Sequence, residues 1–419
     1  FLMPFTYFSG RAINKRAMKM QEEIVPVQRR SDYVSRIFYL ADYVKDLKTG
    51  NISPKLEKDL SDSTEEMRAI VKKRQKPIIA LNVATNSAAG LIISGVYLSY
   101  LFFKALVLGK FGLGSLLGVY NSTQTLNGKV LTAVSNLSEF QNHSLYIEKL
   151  RRFSETENTM EDNGRTALPA GGDIVLRNVE FTYPGNSEPT LKDVSCSFKR
   201  GEKVALVGFN GAGKSTLIKL LLRLYDPTGG KISYGGENIK NYRIADYRGC
   251  FGVLFQDYEL IATDLAHNIS ADNKPLDIKK ADEALKKSAF WEKFKTLPNG
   301  YETQLTKEFD ESGFNPSGGE KQKIALARVL YADSDIIILD EPSGALDPIA
   351  EYTLNKTVTE LSSDKTVIII SHRLSTTRFA DKIYMLANGE IIESGTHEKL
   401  IKQNGKYAEM FRLQAEKYR

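Results

Sequence analysis

Val204-Ala205-Leu206-Val207-Gly208-Phe209-Asn210-Gly211-Ala212-Gly213-Lys214-Ser215-Thr216-Leu217 is the stretch on which the fold turns. Its β-branched apolar start reads as a strand, the glycines as a tight loop, and Lys214-Ser215-Thr216 as the opening of a helix that continues through Leu217-Ile218-Lys219-Leu220-Leu221. Glycines lack Cβ, so the loop backbone can curl and aim its N–H groups inward, and a helix N-terminus adds about half a positive charge. This is a phosphate cradle in its strand-loop-helix setting. Lys214 is expected to reach the β- and γ-phosphates of a bound nucleotide, and the Ser215 hydroxyl to ligate Mg²⁺. Gly208, Asn210, Gly211, Ala212, Gly213 and Thr216 complete the expected cradle.

Composition frames what surrounds the loop. At 419 residues the chain exceeds one ordinary core, and about two to three domains are expected. With 42% apolar and 26% charged residues the bulk is globular. Residues 78–108 nevertheless form an apolar run of membrane-spanning length, and nothing after residue 160 does. The net charge of +6 is modest and spread, so nucleic acid is not an expected partner. Only Cys196 and Cys250 are present, without CxxC spacing, which suits a reducing compartment and argues against a metal or disulfide framework. The first residue is Phe1 and no signal peptide is apparent, so a piece lacking its N-terminal part is expected.

The first part reads as long helices. Phe1 to Tyr7, followed by Arg11, Lys15, Arg16 and Lys19, is expected to be a membrane helix emerging into the cytoplasm, with a soluble amphipathic helix as the alternative. Ile37, Leu40, Val44 and Leu47 make one apolar face of a short helix ended by Gly50-Asn51 and Pro54. A charged helix follows from Leu56 to Lys76, and Pro77 is expected to open the apolar segment Ile78 to Leu108. Gly109-Lys110-Phe111-Gly112 reads as a turn, and the chain returns as Leu113 to Phe153. On that helix Asn121, Thr125, Gly128, Thr132, Ser135, Glu139 and Asn142 recur at helical spacing as a polar stripe that would line a pathway or a subunit seam.

Ser154 to Gly172 reads as a linker with little to bury. Beyond it, β-rich runs at 174–181, 204–207, 250–255, 336–339, 367–370 and 383–386 alternate with helical patterns, which predicts an α/β domain with a mainly parallel sheet. A helical subdomain is expected between about Leu265 and Tyr331. Ile336-Ile337-Ile338-Leu339-Asp340-Glu341-Pro342 is a buried strand ending in two carboxylates. Asp340 can hold the Mg²⁺ shell, and Glu341 can orient or deprotonate the attacking water.

One further stretch carries a family resemblance. Asn315-Pro316-Ser317-Gly318-Gly319-Glu320-Lys321-Gln322-Lys323, followed by Ala325-Leu326-Ala327-Arg328, resembles the signature of ATP-binding cassette (ABC) transporters. Also similar are Phe181-Thr182-Tyr183-Pro184-Gly185, Gln256 after Val253-Leu254-Phe255, Ala345-Leu346-Asp347, and Ile370-Ser371-His372-Arg373. The resemblance implies that Tyr183 stacks on adenine, that Gln256 contacts metal or water, and that His372 bonds the γ-phosphate or the water. It further implies that Asp347, Ser317, Gly318 and Gly319 act at nucleotide sites of a cassette pair, the last three closing over the partner's ATP. The family usually has Leu before the signature Ser and Gln after the two glycines, whereas Pro316 and Glu320 stand here, and Gly344 replaces a more usual Ser. Glu320 brings negative charge near a γ-phosphate unless it points away or finds a cation.

The expected architecture is multidomain. All-α transmembrane helices over 1–153 are partial, with a coupling loop near 37–50, then comes a linker over 154–172, and an α/β P-loop NTPase (ABC ATPase) domain with a helical subdomain over 173–419. The implied activity is ATP hydrolysis coupled to export across a membrane by an exporter-type half-transporter. Expected partners are a second half-transporter, identical or different, membrane lipid, and an unidentified transported substrate. The expected location is a bacterial cell membrane, multi-pass, with the cassette in the cytoplasm. A soluble or regulatory ABC-type ATPase that does not transport is the alternative. The low charge of residues 78–108 argues against the soluble form, and intact Glu341 against the regulatory one.

Overall fold

The apolar run ahead of the glycine loop is a strand with no solvent-facing side. In the computed structural model it is β3 (Lys203–Gly208), which sends Val204 and Leu206 into one apolar cluster and Ala205 and Val207 into another. Burial on both faces is why its sequence is continuously apolar rather than alternating. The structure describes residues 2–40, 43–107, 112–155, 160, 162, 164–342, 348–360, 365–371 and 377–416. The chain divides into two units, Phe1–Glu157 and Asn158–Arg419.

In the second unit β3 lies in a six-stranded sheet of order β10-β9-β3-β8-β7-β6. The strands β6 (Phe251–Leu254), β7 (Ile336–Asp340), β8 (Thr366–Ile370), β3 and β9 (Lys382–Ala387) are parallel, and β10 (Glu390–Gly395) is an antiparallel edge. Ile336, Ile338, Ile368 and Ile370 point to one side of this sheet. Ile337, Leu339, Val367 and Ile369 point to the other, against Leu326 and Val329 of a helix over Gly318–Ala332 and Leu354 and Val358 of a helix over Pro348–Glu360. A four-stranded antiparallel sheet, β2 (Leu191–Phe198), β1 (Ile174–Phe181), β4 (Gly229–Tyr234) and β5 (Glu237–Asn238), covers the first side with Leu176, Val179, Val194 and Ile232. A helical subdomain packs Leu265, Ile269, Leu285, Phe290, Ile324 and Ala327 into a core of its own. The expected linker is partly built into this unit: Asp162 accepts the Ile244 N–H, Thr166 donates to the Asn241 carbonyl, and Leu168 packs on the core.

The first unit consists of long helices: α1 (Leu2–Tyr39), α2 (Val44–Thr49), α3 (Ser53–Gly90), α4 (Leu98–Leu106) and α5 (Leu113–Ser154). Ile24, Val27, Val34 and Ile37 recur at helical spacing and form the buried face of α1. Arg74 of α3 bonds Glu23 of α1, and Arg30 lies 3.5 Å from Glu66. Three expectations are corrected here. Ile37 lies in the last turn of α1 rather than starting a helix with Leu47, although Ile37, Leu47 and Leu56 share one apolar cluster. Pro77 lies inside α3 instead of opening a new helix. The run 78–108, described through 107, is not a helix of its own: it continues the charged part of α3 without a break through a π-helical stretch Leu91–Tyr97 into α4. No helix of the described residues is long and apolar enough to cross a membrane. The apolar run is attached to the charged part of α3, and Asn82, Asn86 and Ser87 dilute it.

The turn expected at 109–112 lies mostly outside the described residues; Gly112 precedes α5 in an extended conformation. On α5 the Thr125 hydroxyl donates to the Asn121 carbonyl (2.9 Å) and that of Thr132 to the Gly128 carbonyl (2.9 Å), so both are satisfied by their own helix.

Candidate functional site

Parallel strands end together, and their carboxyl ends gather the chemistry. The glycine loop leaves β3, Gln256 follows β6, and Asp340 ends β7 with Glu341 directly after it. Strand β8 separates β3 from β7, so the loop and the acids stand about 10 Å apart at two strand spacings, within reach of a lysine and a triphosphate. His372 follows β8, but it and Asp347 lie outside the described residues.

Two glycines shape the loop. Gly208 has φ 153°, with the Leu386 carbonyl where a side chain would begin, and Gly213 has φ 103° as the residue capping the helix Lys214–Leu221. Lys214 is buried, and its ammonium folds back on the carbonyls of Gly208 (2.7 Å) and Phe209 (3.1 Å). Burial lowers the Lys214 pKa, opposed by the charges of Glu341 and Asp340. Ser215 is exposed, and its hydroxyl is near enough to the Asp340 carboxylate to favour its charged form. Asp340 is 5% exposed. Burial first, and then Glu341 beside it, push its pKa up to about 6 against the pull of Lys214.

Glu341 adopts a left-handed φ of 51°, unusual for a residue with a side chain, while its N–H donates to the Ile370 carbonyl (2.9 Å). Gln256 is exposed, and its Nε2 donates to Glu341 Oε2 at 3.2 Å. Tyr183 follows β1 in an aromatic cluster, edge-on to Phe181 (4.9 Å) and Tyr225 (5.4 Å). Its hydroxyl lies 3.2 Å from Thr216 Oγ1, and the Lys219 ammonium sits 5.7 Å from its ring centroid. Backbone and side chains thus bring Tyr183, Thr216, Lys214, Ser215, Asp340, Glu341 and Gln256 into one region.

Ser317, Gly318 and Gly319 do not hydrogen-bond into that region among the described residues. They start the helix Gly318–Ala332, where Ser317 is the cap and Pro316 is buried just before it. Two bonds tie this helix to the acids' neighbourhood and had no signature of their own in the sequence. The Tyr258 hydroxyl donates to the Gly318 carbonyl (3.3 Å), and buried Gln322 Nε2 donates to the Pro342 carbonyl (2.6 Å).

Residues 191–344 match the family model described as ABC transporter. The chain carries an ABC transporter domain. It is 38% identical over 291 residues to an ATP-dependent lipid A-core flippase of Photobacterium profundum, covering 68% of this chain and 48% of that protein. It is 33% identical over 395 residues to the subtilin transport ATP-binding protein SpaT of Bacillus subtilis, covering 91% of this chain and 62% of that protein. Among solved structures it resembles a bacterial Atm1-family ABC exporter with ATP bound, with a TM-score of 0.86 and 26% identity over 99% of this chain and 72% of that one. The chain therefore spans about half to two thirds of the length of these curated relatives. Helices followed by an α/β ABC ATPase unit are the fold of this ABC exporter relative, and the cassette is an ATP-binding one.

Proposed function

We propose that this chain is the carboxyl-terminal part of an exporter-type half-transporter, which pairs with a second subunit and uses ATP hydrolysis to move a substrate across a bacterial membrane. The observation that carries the reading is the gathering of Lys214, Ser215, Asp340, Glu341 and Gln256 at one end of the parallel sheet. Residues 1–153 serve as part of the membrane domain, 154–172 as the connection and 173–419 as the cassette. Exposed apolar side chains between α3 and α5 suit the membrane setting: Leu91, Val96, Leu106, Leu126 and Phe140 are 65–71% exposed and would be covered by lipid or by further helices.

In this reading ATP lies along the glycine loop. Loop N–H groups and the N-terminus of the helix Lys214–Leu221 take the phosphate charge, and Lys214 exchanges its two carbonyl partners for phosphate oxygens. Tyr183 offers its ring to adenine, held in place by Phe181, Tyr225 and Thr216. The Ser215 hydroxyl beside the Asp340 carboxylate is a pair of hard oxygen donors and fits Mg²⁺, which supplies neutralisation of charge between the outer phosphates when bound. Glu341 takes a proton from, or orients, the attacking water, and Gln256 holds that carboxylate in place. His372 and Asp347 complete the site with the same roles that the resemblance implies. The relatives' printed substrates, lipid A-core and subtilin, make an amphipathic lipid or peptide the first cargo class to try.

The test is Glu341→Gln in the full transporter in lipid. It should keep nucleotide binding and lose at least ~100-fold in phosphate release, the usual worth of a general base. Near-normal release would remove Glu341 from this role.

A further inference from the structure

Glu320 stands where a negative charge is least welcome, three residues into the helix Gly318–Ala332 whose start is the signature segment. A glutamate at this position helps the helix form, because it complements the positive N-terminus. By the same physics it cancels the partial charge that would attract a phosphate. The structure shows where that carboxylate goes. It turns back to accept the Ser317 N–H (2.8 Å), while the Ser317 hydroxyl accepts the Glu320 N–H (3.4 Å), a reciprocal cap. Its other oxygen lies 3.6 Å from the ammonium of Lys293, which comes from the short helix Trp291–Phe294 and also sits 5.0 Å from the centroid of the Phe314 ring. Burial would raise the Glu320 pKa, but the Ser317 and Lys293 contacts outweigh it and hold the carboxyl below its ordinary value, so it is charged.

We propose that Lys293 is a positioning residue for the signature segment: it neutralises Glu320, so that the N–H groups of Gly318 and Gly319 still present a positive helix end to the terminal phosphate of a nucleotide held by the paired subunit. This rests on the reading that Ser317–Gly319 close over the partner's ATP. The signature with Glu320 is then a working one whose missing neutrality is supplied from the helical subdomain.

The experiment measures ATPase activity of the full transporter in lipid against ATP concentration. Lys293→Met should raise the ATP concentration for half-maximal rate about threefold at low ionic strength, since a partly exposed ion pair is screened and modest. The change should shrink in high salt, and Lys293→Arg should restore the wild-type value. In a Glu320→Gln background, Lys293→Met should change the value less than ~1.5-fold, because no charge is left to neutralise. An equal effect in both backgrounds, or no effect in either, overturns the proposal. Gly318→Asp separates this from the underlying reading: an acid there suits the helix but repels a docking phosphate, so ATPase should be lost while the melting temperature holds. Retained ATPase in Gly318→Asp would sink that reading and the role of Lys293 with it.

Discussion

Asp340→Asn should make the nucleotide-free protein more stable while removing the proposed ATP hydrolysis. The carboxyl is 5% exposed, and burial together with Glu341 moves its pKa from 3.8 to about 6. That rise corresponds to about 3 kcal/mol at about 1.36 kcal/mol per pH unit. The folded state holds this proton more tightly than the unfolded chain. Stability from the group is therefore fully present below pH 3.8 and is lost as pH rises through about 6. At neutral pH only the cost of the buried charge remains. The pull of Lys214 and Ser215 is already contained in that net shift, so asparagine removes the whole cost of the charge and loses only what a less well satisfied buried amide costs, which leaves a net gain of about 1–2 kcal/mol. For a unit of this size that is a rise of about 4 °C in melting temperature. The single tryptophan, Trp291, lies in the helical subdomain of the same unit and reports its unfolding by fluorescence. Melts with chelator and without nucleotide should show the variant above wild type at about pH 7.5, and the gap should narrow steadily as the pH falls from about 6 toward about 4, where the folded and unfolded chains both hold the proton. A variant that melts lower at neutral pH, or a gap indifferent to acid, would refute the assignment of a destabilising buried charge.

Gly213→Ala should destabilise the cassette by about 2–3 kcal/mol in a melt and abolish ATP binding, because φ is 103° and the new Cβ would lie 2.6 Å from Leu191 Cδ2. Tyr183→Ala should weaken binding of a fluorescent ATP analogue about tenfold, whereas Tyr183→Phe keeps the ring and its edge-on neighbours and should lose under ~3-fold. A Phe variant as weak as the Ala variant would mean that the bond to Thr216, not the ring, is what binding needs.

The parts of the fold that could be read from the sequence are those where burial leaves a continuous mark. Strands β3, β6, β7, β8 and β9 sit between two layers, so their runs are apolar without interruption and stand out. Strands β2, β4 and β10 leave no such mark, because antiparallel strands with one wet face mix Lys192, Asp193, Lys231, Glu390 and Glu393 with their apolar residues. Pro77 misled because a proline penalises a helix interior without forbidding it, and α3 continues through it. At the site, residues with their own motif were legible, whereas Lys293, Tyr258 and Gln322 act through tertiary contacts that no spacing encodes.

Those tertiary contacts explain how the carboxylate at the end of β7 can answer to a helix that belongs to another subdomain. The loop after β6 touches both, through Gln256 on Glu341 (3.2 Å) and Tyr258 on the Gly318 carbonyl (3.3 Å). The helix Gly318–Ala332 returns a third bond, from Gln322 to the carbonyl of Pro342, the residue next to Glu341. Glu341 itself has no freedom to absorb a shift by its backbone, since it occupies a left-handed conformation pinned by the Ile370 carbonyl. Under the proposed function, a shift of the signature helix would reach the carboxylate through Gln256 on one side and the Pro342 turn on the other. Under the proposed function and pairing, these three bonds give the nucleotide of the opposite subunit a route to Glu341, because the helix it would seat is bonded to the residues on either side of that carboxylate.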